Sequence, residues 1–170
     1  VIGSTAYLSL LILGSFAGFL YGAWFADRFG RRKLFMTFSL GAMVLVVAYT
    51  QLPITNDVMR WLGFPLGFFA SGYFSGLGAF LTELYPTLLR GSGQGFCYNF
   101  GRGMGALFPA LVGFFSEKYG LAYAIALFSV MAYGLFFVTA YLSPETQNRE
   151  LDSLRSEEHT SELQSLRHRM

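Results

Sequence analysis

The stretch Gly22-Ala-Trp-Phe-Ala-Asp-Arg-Phe-Gly-Arg-Arg-Lys33 decides the fold, because it places four cations and one carboxylate between two long apolar runs. A single Arg or Asp at the centre of a bilayer costs about 2.5 to 3.5 kcal/mol. The cluster therefore cannot lie in hydrocarbon. It predicts a short loop at a membrane face, between two helices that cross the membrane.

The composition also indicates a membrane protein. Of the 170 residues, 54% are hydrophobic and 13% are charged, whereas soluble domains carry about 25% charged residues. Outside the one loop there is no basic stripe, which argues against a nucleic-acid partner. Paired carboxylates, Ser-His-Asp sets and metal-ligand spacings are missing from the sequence, so it predicts neither an enzyme nor a metal or cofactor site.

Five apolar runs are long enough to cross a bilayer. They cover about residues 2–26, 34–50, 58–81, 94–115 and 121–142. With a short polar exit they form one predicted transmembrane domain over residues 1–154, whose abrupt apolar start predicts a fragment of a longer protein. Lys and Arg are concentrated in the first and third loops. By the positive-inside bias, these loops and the C-terminus are expected on the cytoplasmic side of a plasma (cell inner) membrane.

The last segment, residues 155–170, is predicted to be a non-native tail. Its beginning, Arg155-Ser-Glu-Glu-His-Thr-Ser-Glu-Leu-Gln-Ser165, resembles the translation of a sequencing-library adapter. A native amphipathic tail is the alternative. Both histidines of the chain lie in this segment, so no imidazole proton relay is predicted in the remainder.

Glycines in two places suggest helix packing. Gly14, Gly18 and Gly22 recur every four residues and predict a smooth groove where another helix could approach closely. The alternative is that these glycines face lipid. Further along, the glycines of residues 101–106 suggest close approach as well, and with Pro109 they predict that the fourth span bends.

The loop and two later stretches resemble one family. Gly22-x-x-x-x-Asp27-Arg28-x-Gly30-Arg31-Arg32 resembles the loop signature of the major facilitator superfamily, although Gly22 sits one residue further from Asp27 than the signature has it. The stretch from Glu83 to Arg102 is similar to a loop and helix of its aromatic-acid, sialate and monocarboxylate proton symporters. Pro144-Glu145-Thr146 resembles the exit after the final helix of its sugar and metabolite porters.

The resemblance implies an all-α integral membrane fold. The five spans would be helices eight to twelve of a twelve-helix carrier, which is most of its C-terminal six-helix half. Such a protein would be a secondary active transporter that moves a small organic anion, a carboxylate metabolite, together with a proton by rocker-switch alternating access. Its partners would be that substrate, the proton, the lipid bilayer and the missing N-terminal half. A sugar or polyol porter and a non-transporting membrane sensor are the alternatives.

A gating role is predicted for the charged loops. The group comprises Asp27, Arg28, Gly30, Arg31, Arg32, Glu83 and Arg90. An Asp at a helix end can accept hydrogen bonds from free N–H groups at the start of a neighbouring helix, so Asp27 is a candidate latch. The guanidinium groups can pair with Glu83, and Arg90 would complete an ion-pair network. The alternative is a plain topology determinant that binds anionic headgroups.

Substrate binding is predicted at Arg102, which lies about eight residues into the fourth span. A cation within the membrane normally marks a substrate or ion path. Arg102 is therefore expected either to bind a substrate carboxylate or to pair with an acid elsewhere. Asn99 and Tyr98 lie within one turn and could add neutral hydrogen bonds. No acid lies inside these spans, so a proton-carrying carboxylate is expected in the absent half.

Overall fold

The structure, a computed structural model, describes residues 2–53, 55–86 and 88–146, with the backbone alone for residues 2–4 and 56. In chain order its helices are α1 (Ile2–Phe29), α2 (Arg31–Gln51), α3 (Asn56–Gly72), α4 (Phe74–Leu84), α5 (Arg90–Gly105), α6 (Phe108–Tyr119) and α7 (Leu121–Leu142). The segment 155–170, for which a non-native tail is predicted, lies outside the described residues.

Four stretches of the described chain are long and apolar enough to cross a membrane. They are Thr5–Phe29, Arg31–Gln51, Asp57–Leu84 and Leu121–Leu142. The third consists of α3 and α4, which are separated by Tyr73 alone. These stretches contain the first, second, third and fifth runs of the sequence, apart from a few residues at the first helix's start.

The fourth run, 94–115, is divided between α5 and α6 at the place where the sequence predicts a bend. Ala106 and Leu107 form a tight turn between them, with a hydrogen bond of 3.2 Å from the Leu107 N–H to the Met104 carbonyl. Pro109, the second residue of α6, explains the break. It has no N–H group, and its ring would clash with the carbonyl of residue 105 in a continuous helix.

The glycine groove of α1 packs against α3, as the spacing predicts. A Cβ atom added at Gly14, Gly18 or Gly22 would overlap a backbone carbonyl of α3, at residues 64, 68 and 72 respectively. The two helices are also joined by a side-chain hydrogen bond of 3.0 Å, in which the Ser71 hydroxyl donates to the Ser15 hydroxyl. Small residues therefore set the distance between these helices.

The glycines of α5 behave differently. Added Cβ atoms at Gly101, Gly103 and Gly105 would meet nothing within 4 Å. The close helix approach predicted for this segment therefore does not occur within the described residues.

The interior is built on α2. Leu34 and Phe38 are almost completely buried, and the Phe38 ring stacks on Phe68 of α3 with centroids 5.5 Å apart. Phe35 contacts α4 through Phe80 and α7 through Phe136. The α2 helix thus joins α3, α4 and α7 into one bundle.

Candidate functional site

The site begins at Gly30, which separates α1 from α2. Its backbone has φ 99° and ψ 159°, a region that is essentially restricted to glycine. Because the turn is a single residue, α2 starts at once, with the N–H groups of its first residues free of partners within the helix. The sequence Phe-Gly-Arg-Arg thus creates an exposed positive helix end beside the charged side chains.

A carboxylate from the far end of the chain occupies that helix end. The Arg31 N–H donates to Oε1 of Glu145 at 2.9 Å, and the Arg32 N–H donates to Oε2 at 3.2 Å. Gly30 also makes room for this carboxylate, because a Cβ atom there would overlap it. The free N–H groups at the start of α2 are therefore bound by Glu145, which follows Pro144 just beyond α7.

The Arg31 guanidinium is the hub of the site. It pairs with Glu83 at 3.0 Å and with Asp27 at 3.2 Å, and it donates to the Ala26 carbonyl at 3.0 Å. The Arg31 and Glu83 side chains are 12% and 14% exposed, whereas that of Asp27 is 77% exposed. Since water screens exposed pairs, the bridge to Glu83 is the stronger of the two.

Thr146 links the Glu83 carboxylate to the segment that follows α7. Its hydroxyl donates to Oε2 of Glu83 at 2.5 Å, and the residue is completely buried. Glu83 therefore bridges α4, α2 and the segment after α7. These contacts place the first loop, the end of α4 and the exit from α7 at one end of the bundle.

The other predicted cations do not pair with Glu83 among the described residues. Arg28 lies near the rings of Trp24 and Phe29, at 5.9 and 6.0 Å from their centroids. Arg32 stacks over Tyr141 at 4.9 Å. These positions follow from helix geometry, because successive residues of a helix point about 100° apart.

Arg90 fastens α5 to α4 instead of joining the ion pairs. Its Nε donates to the Thr82 carbonyl at 3.0 Å. Nearby, the Tyr85 hydroxyl lies 3.0 Å from Sγ of Cys97, and this hydrogen bond raises the pKa of Tyr85. Two side-chain contacts thus hold the third loop against the helices on either side of it.

Among the predicted substrate-binding residues, Tyr98 lines a cavity in the described part of the chain. Tyr98 borders a space of about 430 Å³ between α1, α4 and α5. Its ring centroid lies 5.9 Å from the guanidinium of Arg102, which is on the last turn of α5. Asn99 donates its side-chain amide to the Gly95 carbonyl at 2.8 Å, within its own helix.

The cavity beside Tyr98 has mainly apolar walls. It is lined by Phe19, Phe74, Leu77, Gly78, Leu81, Gln94 and Tyr98. A larger cavity of about 710 Å³ lies between α6, α7, Tyr73 and Gly101 of α5, and none of the predicted substrate-binding residues lines it. The first cavity is therefore the one that combines a predicted binding residue with a nearby cation.

Sequence reasoning did not assign Glu145, Thr146 or Gln94 to a site. For the first two the signal was present, because Pro144-Glu145-Thr146 stood out as a motif. Its contact with the first loop requires the closed bundle. Nothing in the sequence distinguishes Gln94 from other polar residues at a helix start.

Comparison with known proteins gives a family and several relatives. A model described as Major Facilitator Superfamily matches residues 2–169. The chain is 38% identical over 145 residues to a Cupriavidus pinatubonensis protein named "Probable 4-methylmuconolactone transporter", covering 85% of this chain and 34% of that protein. It is 26% identical over 155 residues to the niacin transporter NiaP of Acinetobacter baylyi, covering 91% of this chain and 35% of that one.

A third relative is the inner membrane metabolite transport protein YhjE of Escherichia coli, which is 31% identical over 131 residues, or 74% of this chain and 29% of that protein. The chain thus spans about a third of the length of the curated relatives it matches. No solved structure matches it.

Proposed function

The chain belongs to the Major Facilitator Superfamily, and from this premise we propose that it is the C-terminal part of a secondary active transporter for a small organic anion. Two sequence predictions are confirmed, namely the superfamily and an all-α membrane fold that forms part of one of its halves. The named relatives are transporters, in agreement with the prediction that the protein is not an enzyme. We therefore infer that the full protein is a multi-pass membrane protein that transports metabolites.

We propose a gating mechanism, and its main support is the network of contacts around Arg31. A few hydrogen bonds and one shielded ion pair hold together three segments that are far apart in sequence. Such contacts can be lost together when the helices that carry them shift against one another, so they suit a two-state gate better than a permanent core contact. We assign the gate to Arg31, Glu83, Glu145 and Thr146, with Asp27 as an outer partner of Arg31.

The remaining motif residues support this gate. Gly30 gives Glu145 its space, Arg90 fixes the start of α5, and Arg28 and Arg32 rest on aromatic rings near the membrane surface. By the positive-inside bias, this end of the bundle and the C-terminus face the cytoplasm of a plasma (cell inner) membrane. The gate would then close the cytoplasmic side of the carrier.

Arg102 is the residue we assign to the substrate carboxylate. Its guanidinium is exposed on α5 beside Tyr98, and a planar guanidinium can bind a carboxylate through two parallel hydrogen bonds. The names of two relatives, which specify 4-methylmuconolactone and niacin, agree with a small organic substrate. Asn99 would contribute its side-chain oxygen.

We propose that transport is coupled to a proton, and that the acid that carries this proton lies outside this chain. The described carboxylates are Asp27, Asp57, Glu83, Glu117 and Glu145. All of them lie at helix ends or beyond them. A proton carrier is expected near the middle of the membrane, so we place it in the other half of the transporter.

A sugar or polyol porter is the second candidate. It is favoured by the Pro144-Glu145-Thr146 exit, whose Glu145 and Thr146 both engage the gate. In that case Arg102 would have a structural role. A membrane sensor built on the same helices would bind a ligand without moving it.

Counterflow in proteoliposomes that hold the full-length protein tests these functions. We expect protein-dependent, saturable exchange of labelled niacin, with a transport constant that rises at least about tenfold in Arg102→Gln, because the charged hydrogen bonds to the carboxylate are lost. Asn99→Ala, three positions before Arg102 on α5, should raise the transport constant less.

Glucose counterflow without anion counterflow would instead establish the second candidate. Binding of niacin without flux would indicate a sensor. Unchanged transport by Arg102→Gln would remove Arg102 from the binding site.

A further inference from the structure

Gly78 is the glycine among the residues that line the cavity between α1, α4 and α5. A Cβ atom added there would meet nothing within 4 Å, although the residue lies in the interior of α4. Glycine in a helix costs about 0.5 to 1 kcal/mol relative to alanine. Neither a tight backbone contact nor an unusual φ accounts for it here, unlike at Gly18 or Gly30.

The cavity has two chemically distinct regions. Phe19 and the α4 side chains make one wall entirely apolar, while Gln94 and Tyr98 of α5 supply the two polar side chains of the lining. Its volume of about 430 Å³ lies within the range of ligand pockets, roughly 300 to 1,000 Å³. Two polar side chains are too few to satisfy the hydroxyls of a sugar, and unpaired buried hydroxyls are costly.

Tyr98 connects this cavity to a positive charge. Its ring borders the cavity and also lies 5.9 Å from the Arg102 guanidinium, one helical turn further along α5. A ligand with a carboxylate at one end could reach Arg102 and place its remaining atoms against the apolar wall. The arrangement therefore fits a molecule with one charged end and one non-polar end.

We propose that the space above Gly78 is the subsite for the non-polar body of the substrate. Because Gly78 has no side chain, this position determines the size of the largest non-polar body that the site can bind. Tyr98 and Arg102 hold the carboxylate at the opposite side. The inference rests on the proposed function, since it gives a substrate class to the same binding site. That class is a monocarboxylate with a compact non-polar body, as opposed to a sugar.

The test is equilibrium binding of labelled cyclohexanecarboxylate and of labelled propionate to the purified full-length protein. The two acids share a carboxylate and differ in the size of the non-polar body. Gly78→Leu fills the space with a side chain that meets no described atom at its Cβ. The matched control is Gly134→Leu on α7, whose added Cβ also meets nothing within 4 Å and which does not line this cavity.

We expect Gly78→Leu to weaken cyclohexanecarboxylate binding at least about tenfold, the scale by which pockets discriminate small changes in size. Its effect on propionate should stay within about twofold, and Gly134→Leu should affect neither acid. If the wild type binds these acids but Gly78→Leu leaves cyclohexanecarboxylate unchanged, or weakens both acids equally, the subsite is wrong and the transport proposal stands. If the wild type binds glucose and neither acid, both proposals are wrong.

Discussion

Gly30 serves two purposes at once at the residue scale. Its backbone angles, φ 99° and ψ 159°, exclude other residues sterically. Its missing side chain leaves the space that the Glu145 carboxylate occupies. A substitution would therefore strain the turn and also displace the cap on α2.

We expect Gly30→Ala to destabilise the protein more than Gly120→Ala. Gly120, between α6 and α7, has nearly the same backbone angles, φ 86° and ψ 150°, but nothing lies within 4 Å of its added Cβ. Backbone strain of about 1 to 3 kcal/mol is common to both variants. The difference in thermal unfolding in detergent then measures the loss of the Glu145 contact.

The control is the same pair of substitutions in a Glu145→Ala background. Without the carboxylate, Gly30→Ala and Gly120→Ala should cost equal stability, because the energies of coupled residues are not additive. A difference that persists in this background would show that Glu145 is not the neighbour that requires glycine.

At the element scale, α1 and α3 are held together by backbone proximity. The groove glycines of α1 face carbonyl groups of α3, and Ser15 and Ser71 share a hydrogen bond across the contact. In lipid, association of helices depends on such close packing, because lipid chains are as apolar as the side chains they replace.

Alanine should lower the stability of the protein at Gly18 but not at Gly113. At Gly18 of α1 the new methyl group would overlap the Phe68 carbonyl, whereas at Gly113 of α6 it would meet nothing within 4 Å. Gly18→Ala is expected to destabilise by about 1 to 3 kcal/mol through overpacking, and Gly113→Ala to be neutral or stabilising by up to about 1 kcal/mol. Thermal unfolding of each purified variant measures both effects, and equal melting temperatures would contradict the α1–α3 packing.

At the scale of the whole molecule, the gate depends on which of the two carboxylates paired with the Arg31 guanidinium, Glu83 or Asp27, is shielded from water. Glu83 is 14% exposed and is also bound by Thr146, whereas Asp27 is 77% exposed. Removing the charge of Glu83 would leave the Arg31 guanidinium, itself 12% exposed, without its better partner. Such a loss is more costly than breaking an exposed pair.

Glu83→Gln is therefore expected to open the network more than Asp27→Asn does. Hydrogen exchange of the amides at the start of α2 reports this opening, since the Arg31 and Arg32 N–H groups are bound by Glu145. We expect exchange there to speed up at least about fivefold in Glu83→Gln, which corresponds to about 1 kcal/mol. Asp27→Asn removes only the exposed i,i+4 pair with Arg31, so it should change the exchange rate by about twofold or less.

Exchange at the end of α2, near Gln51, is the internal reference for this measurement and should not change in either variant. An equal response to the two substitutions would contradict the assignment of Glu83 as the principal partner of Arg31.

The sequence by itself determined the class of this protein and where most of its helices lie. The charges of residues 27–33 cannot enter hydrocarbon, and the apolar runs around them can satisfy their backbone groups in a membrane only as helices. The four-residue spacing of Gly14, Gly18 and Gly22 likewise predicted a packing groove, because residues four apart share a helix face. These inferences depend on local chemistry alone.

Which residues contact one another was decided only by the tertiary structure. Which carboxylate caps α2 depends on how the helices pack, because Glu145 lies 114 residues from Arg31 in sequence. The same is true of the choice of Arg31 over Arg28 and Arg32 as partner of Glu83, since all three have the same charge and differ only in direction around their helices. The cavity above Gly78 exists only where three helices meet, so no local pattern could indicate it.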